Sequence, residues 1–212
     1  MTMDNELEDP LKPLEKICCP DDRQSTLSAN LEDVHGVLSE IFLHKKVPID
    51  VRQLFETAKN VSLYSWYVYR FHQVAELVGY SSLEMALKLR YRKEIPDAKP
   101  PMLKGLLLHA KDNNWIADEG FSDRMKRARR YAETQKTYEA IQQMKEEGES
   151  ERIVDDPTEE EVCIAMEKMD VVGGIVSSAA SVRNDLAHGS TTLDPKSIAT
   201  LRTISEVINQ LF

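Results

Sequence analysis

Leu63-Tyr64-Ser65-Trp66-Tyr67-Val68-Tyr69-Arg70-Phe71-His72 is the stretch on which the fold turns. It sits inside a longer pattern opened by Asp50, in which Leu54, Ala58, Val61, Tyr64, Val68, Phe71, Ala75 and Val78 recur at helical spacing. The pattern predicts one long amphipathic helix that ends at Gly79. Its middle is apolar or aromatic nearly all round, so it must be covered on more than one side, either inside a bundle or against a second protomer.

Outward from this segment the chain keeps helical time. Leu31, Val34, Leu38, Ile41 and Phe42 predict a helix on its N-terminal side. Ser81 and Glu84 have capping-box spacing and predict another that runs to about Arg92. Three prolines between Ile95 and Pro101 mark a connector. A short helix follows from Met102 to Asn113, with Leu103, Leu106, Leu107 and Ala110 on one side. Phe121 to Glu146 reads as a charged helix that dissolves into the acidic run Glu146 to Glu151. Asp156-Pro157 and Asp194-Pro195 each have the form of an N-cap followed by proline at the first helical position. Between them, Val162, Met166, Met169, Val172, Val176, Ala179, Val182 and Leu186 predict a single helix, with Gly173-Gly174 as a kink or close-approach point. Ile198, Leu201, Ile204, Ile208 and Leu211 predict the last. No segment alternates as a strand does. The expected fold class is an all-α bundle: residues 1 to 25, charged and holding three prolines, form a mobile tail, and residues 26 to 212 form one helical domain.

Composition narrows the function. The formal net charge of −9 makes the surface as a whole repel nucleic acid, so any such contact needs a local basic patch. Two stretches qualify: Lys88, Arg90, Arg92 and Lys93, and Arg124, Lys126, Arg127, Arg129 and Arg130. Either can equally be a solvated helix face. Cys18, Cys19 and Cys163 lack metal-ligand spacing and read as reduced cysteines. No run reaches the length of a membrane span, and Met1 to Asp9 lacks the apolar core of a signal peptide, which leads us to expect a cytoplasmic protein. No metal or cofactor is expected.

Arg183-Asn184-Asp185-Leu186-Ala187-His188-Gly189 is the stretch with chemical content. It sets a permanent cation and an imidazole five residues apart at the end of a helix. Such a pair can neutralise a phosphate and move a proton near neutral pH. It can also be plain helix-end chemistry, with cations bonding the last carbonyls and Gly189 as a left-handed stop. The combination of Arg183, Asn184 and His188, the string Leu186 to Gly189, and their place at the end of the penultimate helix resemble the signature of the HEPN superfamily (higher eukaryotes and prokaryotes nucleotide-binding). The likeness covers roughly residues 26 to 212. It implies a helical bundle that dimerises with both motifs in one cleft, and in many members a metal-independent ribonuclease. Arg183, Asn184 and His188 would then be catalytic. Lys88, Arg90, Arg92, Arg124, Arg127 and Arg130 would be candidates to carry the nucleic-acid backbone. RNA, a cognate antitoxin or a regulatory protein would be partners, in phage defence or a toxin–antitoxin pair. Other members of the superfamily are non-catalytic nucleotide-binding or interaction domains, so that reading stands beside the first. The tyrosine found two positions after the histidine in one regulated subgroup is replaced here by Ser190.

Overall fold

The computed structural model describes residues 7, 9–26, 29–189 and 193–212; Ser190 lies outside them. Among the described residues there are eight α-helices and no strand: α1 Leu31–Ser39, α2 Ile49–Tyr64, α3 Phe71–Glu94, α4 Leu103–Asp112, α5 Arg124–Glu147, α6 Glu159–Lys168, α7 Val171–Ala187 and α8 Ser197–Gln210. None is long and apolar enough to cross a membrane.

The break in the aromatic stretch falls elsewhere than the periodicity predicts. The helix from Asp50 does not reach Gly79. It stops at Tyr64, and residues 65–70 turn before α3 begins at Phe71. Aromatic and β-branched residues crowd this turn and are weak helix formers. Its polar groups also have other partners: Trp66 C=O accepts from the Asp21 N–H at 2.9 Å, and the Tyr69 N–H donates to Asp21 Oδ2 at 3.3 Å. A start at Ser81 is likewise absent. Ser81 Oγ donates back to Leu77 C=O at 2.8 Å, which is interior-helix behaviour, and α3 runs straight through Gly79.

Helix α3 is the axis of the bundle, with α2, α4, α7 and α8 packed around it. Leu83, Ala86 and Leu87 of α3, Phe55 of α2, Leu106 and Leu107 of α4, Val176 of α7, and Leu201, Ile204 and Ile208 of α8 form one buried core. Gly79 sets the α3–α8 approach. A Cβ there would lie 2.8 Å from Leu201 Cδ2 and 3.2 Å from Ile204 Cδ1. The cost of an interior glycine is accepted where backbone must meet side chain this closely.

The single helix predicted between Val162 and Leu186 is two. Thr158, rather than Asp156, caps α6 in a reciprocal box with Glu161. The chain then breaks at Met169-Asp170, and the Asp170 carboxylate accepts the Gly173 N–H at 2.7 Å to start α7. Gly173 and Gly174 therefore lie in the first turn of α7 and do not kink its middle. Helices α5 and α6 pair as a hairpin with a small core of their own: Ala128, Ala132, Val162 and Ala165, flanked by Met166 and Met169.

Part of the segment read as a mobile tail carries local order. Short 3-10 helices span Leu14–Lys16 and Asp22–Thr26. Arg23 pairs with Asp9 and Asp21, Arg70 reaches Asp9 at 2.6 Å, and the Gln24 side chain donates to Ser65 C=O at 3.2 Å. The guanidinium of Arg23 stands 4.5 Å over the Tyr69 ring and holds the Asp21 carboxyl down at about 2.

Gly79→Ala tests the close approach. Alanine favours an interior helix over glycine by about 1 kcal/mol, while overpacking costs roughly 1–3 kcal/mol. The expected result is a net loss of stability in urea denaturation; a gain would mean that Leu201 yields freely.

Candidate functional site

Helix α7 carries the Arg183–His188 motif, and its N-terminus is firmly placed. Asp118 accepts the N–H groups of Val171 and Val172 at 3.1 and 2.9 Å, and Lys111 holds Asp170 at 2.7 Å. Val172, Val176 and Ala179 bury the inner face. At the other end His188 is the C-cap, its N–H donating to Asn184 C=O at 2.9 Å, and Gly189 follows at φ 90°, the left-handed stop read from sequence.

The three motif residues meet different surroundings. Arg183 is half-buried against α3, where Nη2 donates to Glu84 Oε2 at 3.2 Å while Nη1 reaches Asn184 Oδ1 at 3.2 Å. Its Nε is buried with no hydrogen-bond partner among the described residues. Asn184 and His188 are exposed. Five residues along a helix correspond to about 140° of rotation, so Arg183 on the inner face and His188 toward solvent is the geometry that this spacing dictates. The guanidinium is thus anchored and the imidazole is exposed.

The basic candidates disperse. Lys88 joins Arg183 on Glu84, with Nζ 2.5 Å from Oε1. Arg90 turns elsewhere, paired with Glu94 at 2.6 Å and 5.2 Å from the Trp115 ring centroid. Arg92 is exposed. Arg124 pairs with Glu119 and reaches Met166 C=O. Arg127 and Arg130 face a cleft of about 1230 Å³ between α5 and the paired α7 and α8, floored by Tyr80 and Leu83 of α3. That cleft does not include Arg183, Asn184 or His188. It gathers Lys168, Lys196 and Arg202 as well, which the sequence reading missed. Each stands alone in its own segment, and only the fold brings them together. Trp66, Tyr67, Tyr69 and Phe71 belong to the turn and start of α3, where Tyr69 packs edge-on against His72.

A buried polar line runs beneath the start of α8. His72, Glu76 and Tyr80 are four residues apart on α3. His72 Nδ1 lies 2.7 Å from Ser197 Oγ, which is also 2.7 Å from Ser62 Oγ, while Thr200 hydrogen-bonds Glu76. Burial depresses the imidazole below its usual range, lifts the Glu76 carboxyl and pushes the Tyr80 hydroxyl up to about 12. Ser197 is fully buried, so this chain of hydroxyls fastens α8 to α2 and α3 rather than presenting a nucleophile. No cluster of three or more metal-binding side chains occurs among the described residues.

No family model matches this chain, and comparisons with curated proteins and with solved structures also return no match. The class that the structure defines is an all-α bundle built around α3.

The buried line makes stability depend on pH. The depressed His72 favours the folded state above its unfolded value of about 6.5, and that contribution is lost as pH falls through its lower folded value. Glu76 acts oppositely: with its folded value raised, stability present in acid is lost as pH rises through that value. Glu76→Gln should therefore raise the urea midpoint most at pH 7 and above and flatten the alkaline side of the stability profile. Separately, Asp118→Ala leaves two α7 amides without their acceptor and should cost about 1–2 kcal/mol in the same measurement.

Proposed function

We propose that this chain is a metal-independent endoribonuclease of the HEPN type, a homodimer whose two α7 ends share one cleft. The observation that carries the reading is the end of α7 itself: an exposed imidazole and an exposed carboxamide one turn apart, beside a guanidinium fixed by Glu84. RNA supplies its own nucleophile. The 2′-hydroxyl attacks the adjacent phosphorus, the bond to the 5′-oxygen breaks, and a 2′,3′-cyclic phosphate and a free 5′-hydroxyl result. His188 takes the proton from the attacking oxygen or gives one to the leaving oxygen. Arg183 has donors beyond the two it spends on Glu84 and Asn184, and these meet the charge added in the phosphorane. Asn184 steadies the guanidinium. Since one protomer separates the two groups around its helix, the second protomer brings its own pair to the same phosphate. Lys88, tethered to Glu84, adds positive charge near that point. Phage defence or a toxin–antitoxin pair, with a cognate inhibitor, is the setting this reading entails.

One observation favours a second reading. Glu84 already engages the guanidinium of Arg183, as it would in a non-catalytic interaction or nucleotide-binding domain, where the motif would serve only to end the helix.

Incubating the full chain with mixed RNAs in excess chelator separates the two. The nuclease reading expects cleavage to cyclic-phosphate ends, lowered at least ~10²-fold by Arg183→Ala and by His188→Ala, with His188→Ala retaining the wild-type melting profile and Arg183→Ala still folded at the assay temperature. RNA left intact by a folded wild-type dimer would hand the site to the second reading. Glu84→Ala leaves two cations without their shared acceptor and should cost about 1–3 kcal/mol of stability whichever reading holds.

A further inference from the structure

The cleft between the α5–α6 hairpin and the α7–α8 pair reverses the sign of the whole chain. Lys126, Arg130 and Lys168 line it, and their side chains have no ion-pair or hydrogen-bond partner among the described residues. Asp123 and Asp170, its acidic lining residues, are already engaged, with Arg127 at 2.6 Å and Lys111 at 2.7 Å. In a protein of net charge −9, three unmatched cations around one concavity leave a positive field with nothing to meet it, and low-dielectric walls focus that field. The chemistry that answers it is acidic.

Between the cations the walls are apolar. Ile175 of α7 and Ile198 of α8 are only partly covered by the core, and Tyr131 of α5 is 42% exposed. The apolar surface does not stop at the cleft. Tyr138 and Ile141, both exposed, follow Tyr131 on α5 at seven and ten residues, a spacing that keeps one helix face. Ten residues of helix carry that strip on for about 15 Å. The cleft alone, about 1230 Å³, already exceeds the roughly 300–1,000 Å³ of an ordinary small-molecule pocket. Size and length together call for a polymer. A nucleic acid wants ring planes for its bases, and here Ile175 and Ile198 present aliphatic walls. An apolar centre with a charged rim is instead the anatomy of a protein–protein contact, in which Tyr and Arg are the enriched residues. We propose that this cleft docks an acidic amphipathic helix of a partner protein. Its apolar residues lie on Ile175, Ile198 and the strip from Tyr131 to Ile141, and its carboxylates meet Lys126, Arg130 and Lys168. The site does not rest on the ribonuclease reading, because no residue of the α7 motif lines it.

Fluorescence anisotropy of a labelled helical peptide titrated with the full chain tests this. The probe has about five turns, with leucines at i, i+3, i+4 and i+7 repeats on one face and glutamates flanking them. Its controls are a scrambled peptide of the same composition, the same peptide with lysine for glutamate, and a single-stranded oligouridylate. Saturable binding of the acidic amphipathic peptide is expected, weakened by added salt, with the scrambled and lysine peptides about tenfold weaker or more. Arg130→Glu and Lys126→Glu should each weaken it about tenfold or more, and Tyr131→Ser and Tyr138→Ser should weaken it as well. All four side chains are exposed, so these variants should melt as the wild type does. Arg183→Ala and His188→Ala should leave peptide affinity unchanged even if they abolish RNA cleavage, so the two proposals fail separately. The proposal is overturned if the scrambled peptide binds as tightly as the amphipathic one, or if Arg130→Glu and Tyr131→Ser bind as the wild type does. It is equally overturned if the oligouridylate alone binds and Arg130→Glu abolishes that binding, or if Arg130→Glu turns a dimer into a monomer in light scattering, which would make a second copy the occupant.

Discussion

A single unbroken helix touching four neighbours constrains everything else in this structure. Helix α3 can serve α2, α4, α7 and α8 at once only if it is long and if one of its faces is nearly flat. Gly79 supplies the flat place, where Leu201 and Ile204 of α8 settle onto backbone. Three and seven residues before it on α3, Glu76 and His72 are polar and buried, and the first turn of α8 satisfies them. Hydroxyl and imidazole groups sealed in such a seam act as register marks: sliding α8 by one turn would strip Ser197 from both His72 and Ser62 and leave three polar groups unsatisfied in the core.

The same helix positions the α7 motif. Glu84, one turn past the core seam, fixes the guanidinium of Arg183 and the ammonium of Lys88 together. What happens at the end of α7 is thus set from α3, and at the start of α7 by Asp118 and Lys111. With both ends pinned, the exposed His188 stands on a stiff support.

The helical class was legible in the sequence because apolar residues at 3.6-residue spacing leave little choice, and the elements from Leu31, Met102 and Ile198 fall close to where their periodicity puts them. Boundaries were harder to read wherever two signals competed. Ser81 and Glu84 have the spacing of a cap, but a serine inside a helix can turn its hydroxyl back on the preceding turn, and only the tertiary packing decides which. Residues 65–70 continue an apolar pattern, yet a partner from far upstream, Asp21, holds them in a turn. Thr158 with Glu161 and Asp170 with Gly173 are cap signals that the sequence does contain; the long periodic run from Val162 to Leu186 masked the second. Of the site, Arg183, Asn184 and His188 were visible as a local string. Glu84, a hundred residues away in sequence less one, was not, and neither was the convergence of Lys168, Lys196 and Arg202.

The hairpin of α5 and α6 keeps its own small core, three alanines and a valine flanked by two methionines, and meets the bundle through isolated contacts such as Arg127 to Thr203, with Ser122 just before α5 bonded to Glu206. So little apolar area resists separation that this arm should exchange its amide protons well before the bundle does. The aperture beside it would then be governed by a weakly latched flap, and whatever enters would act as the latch.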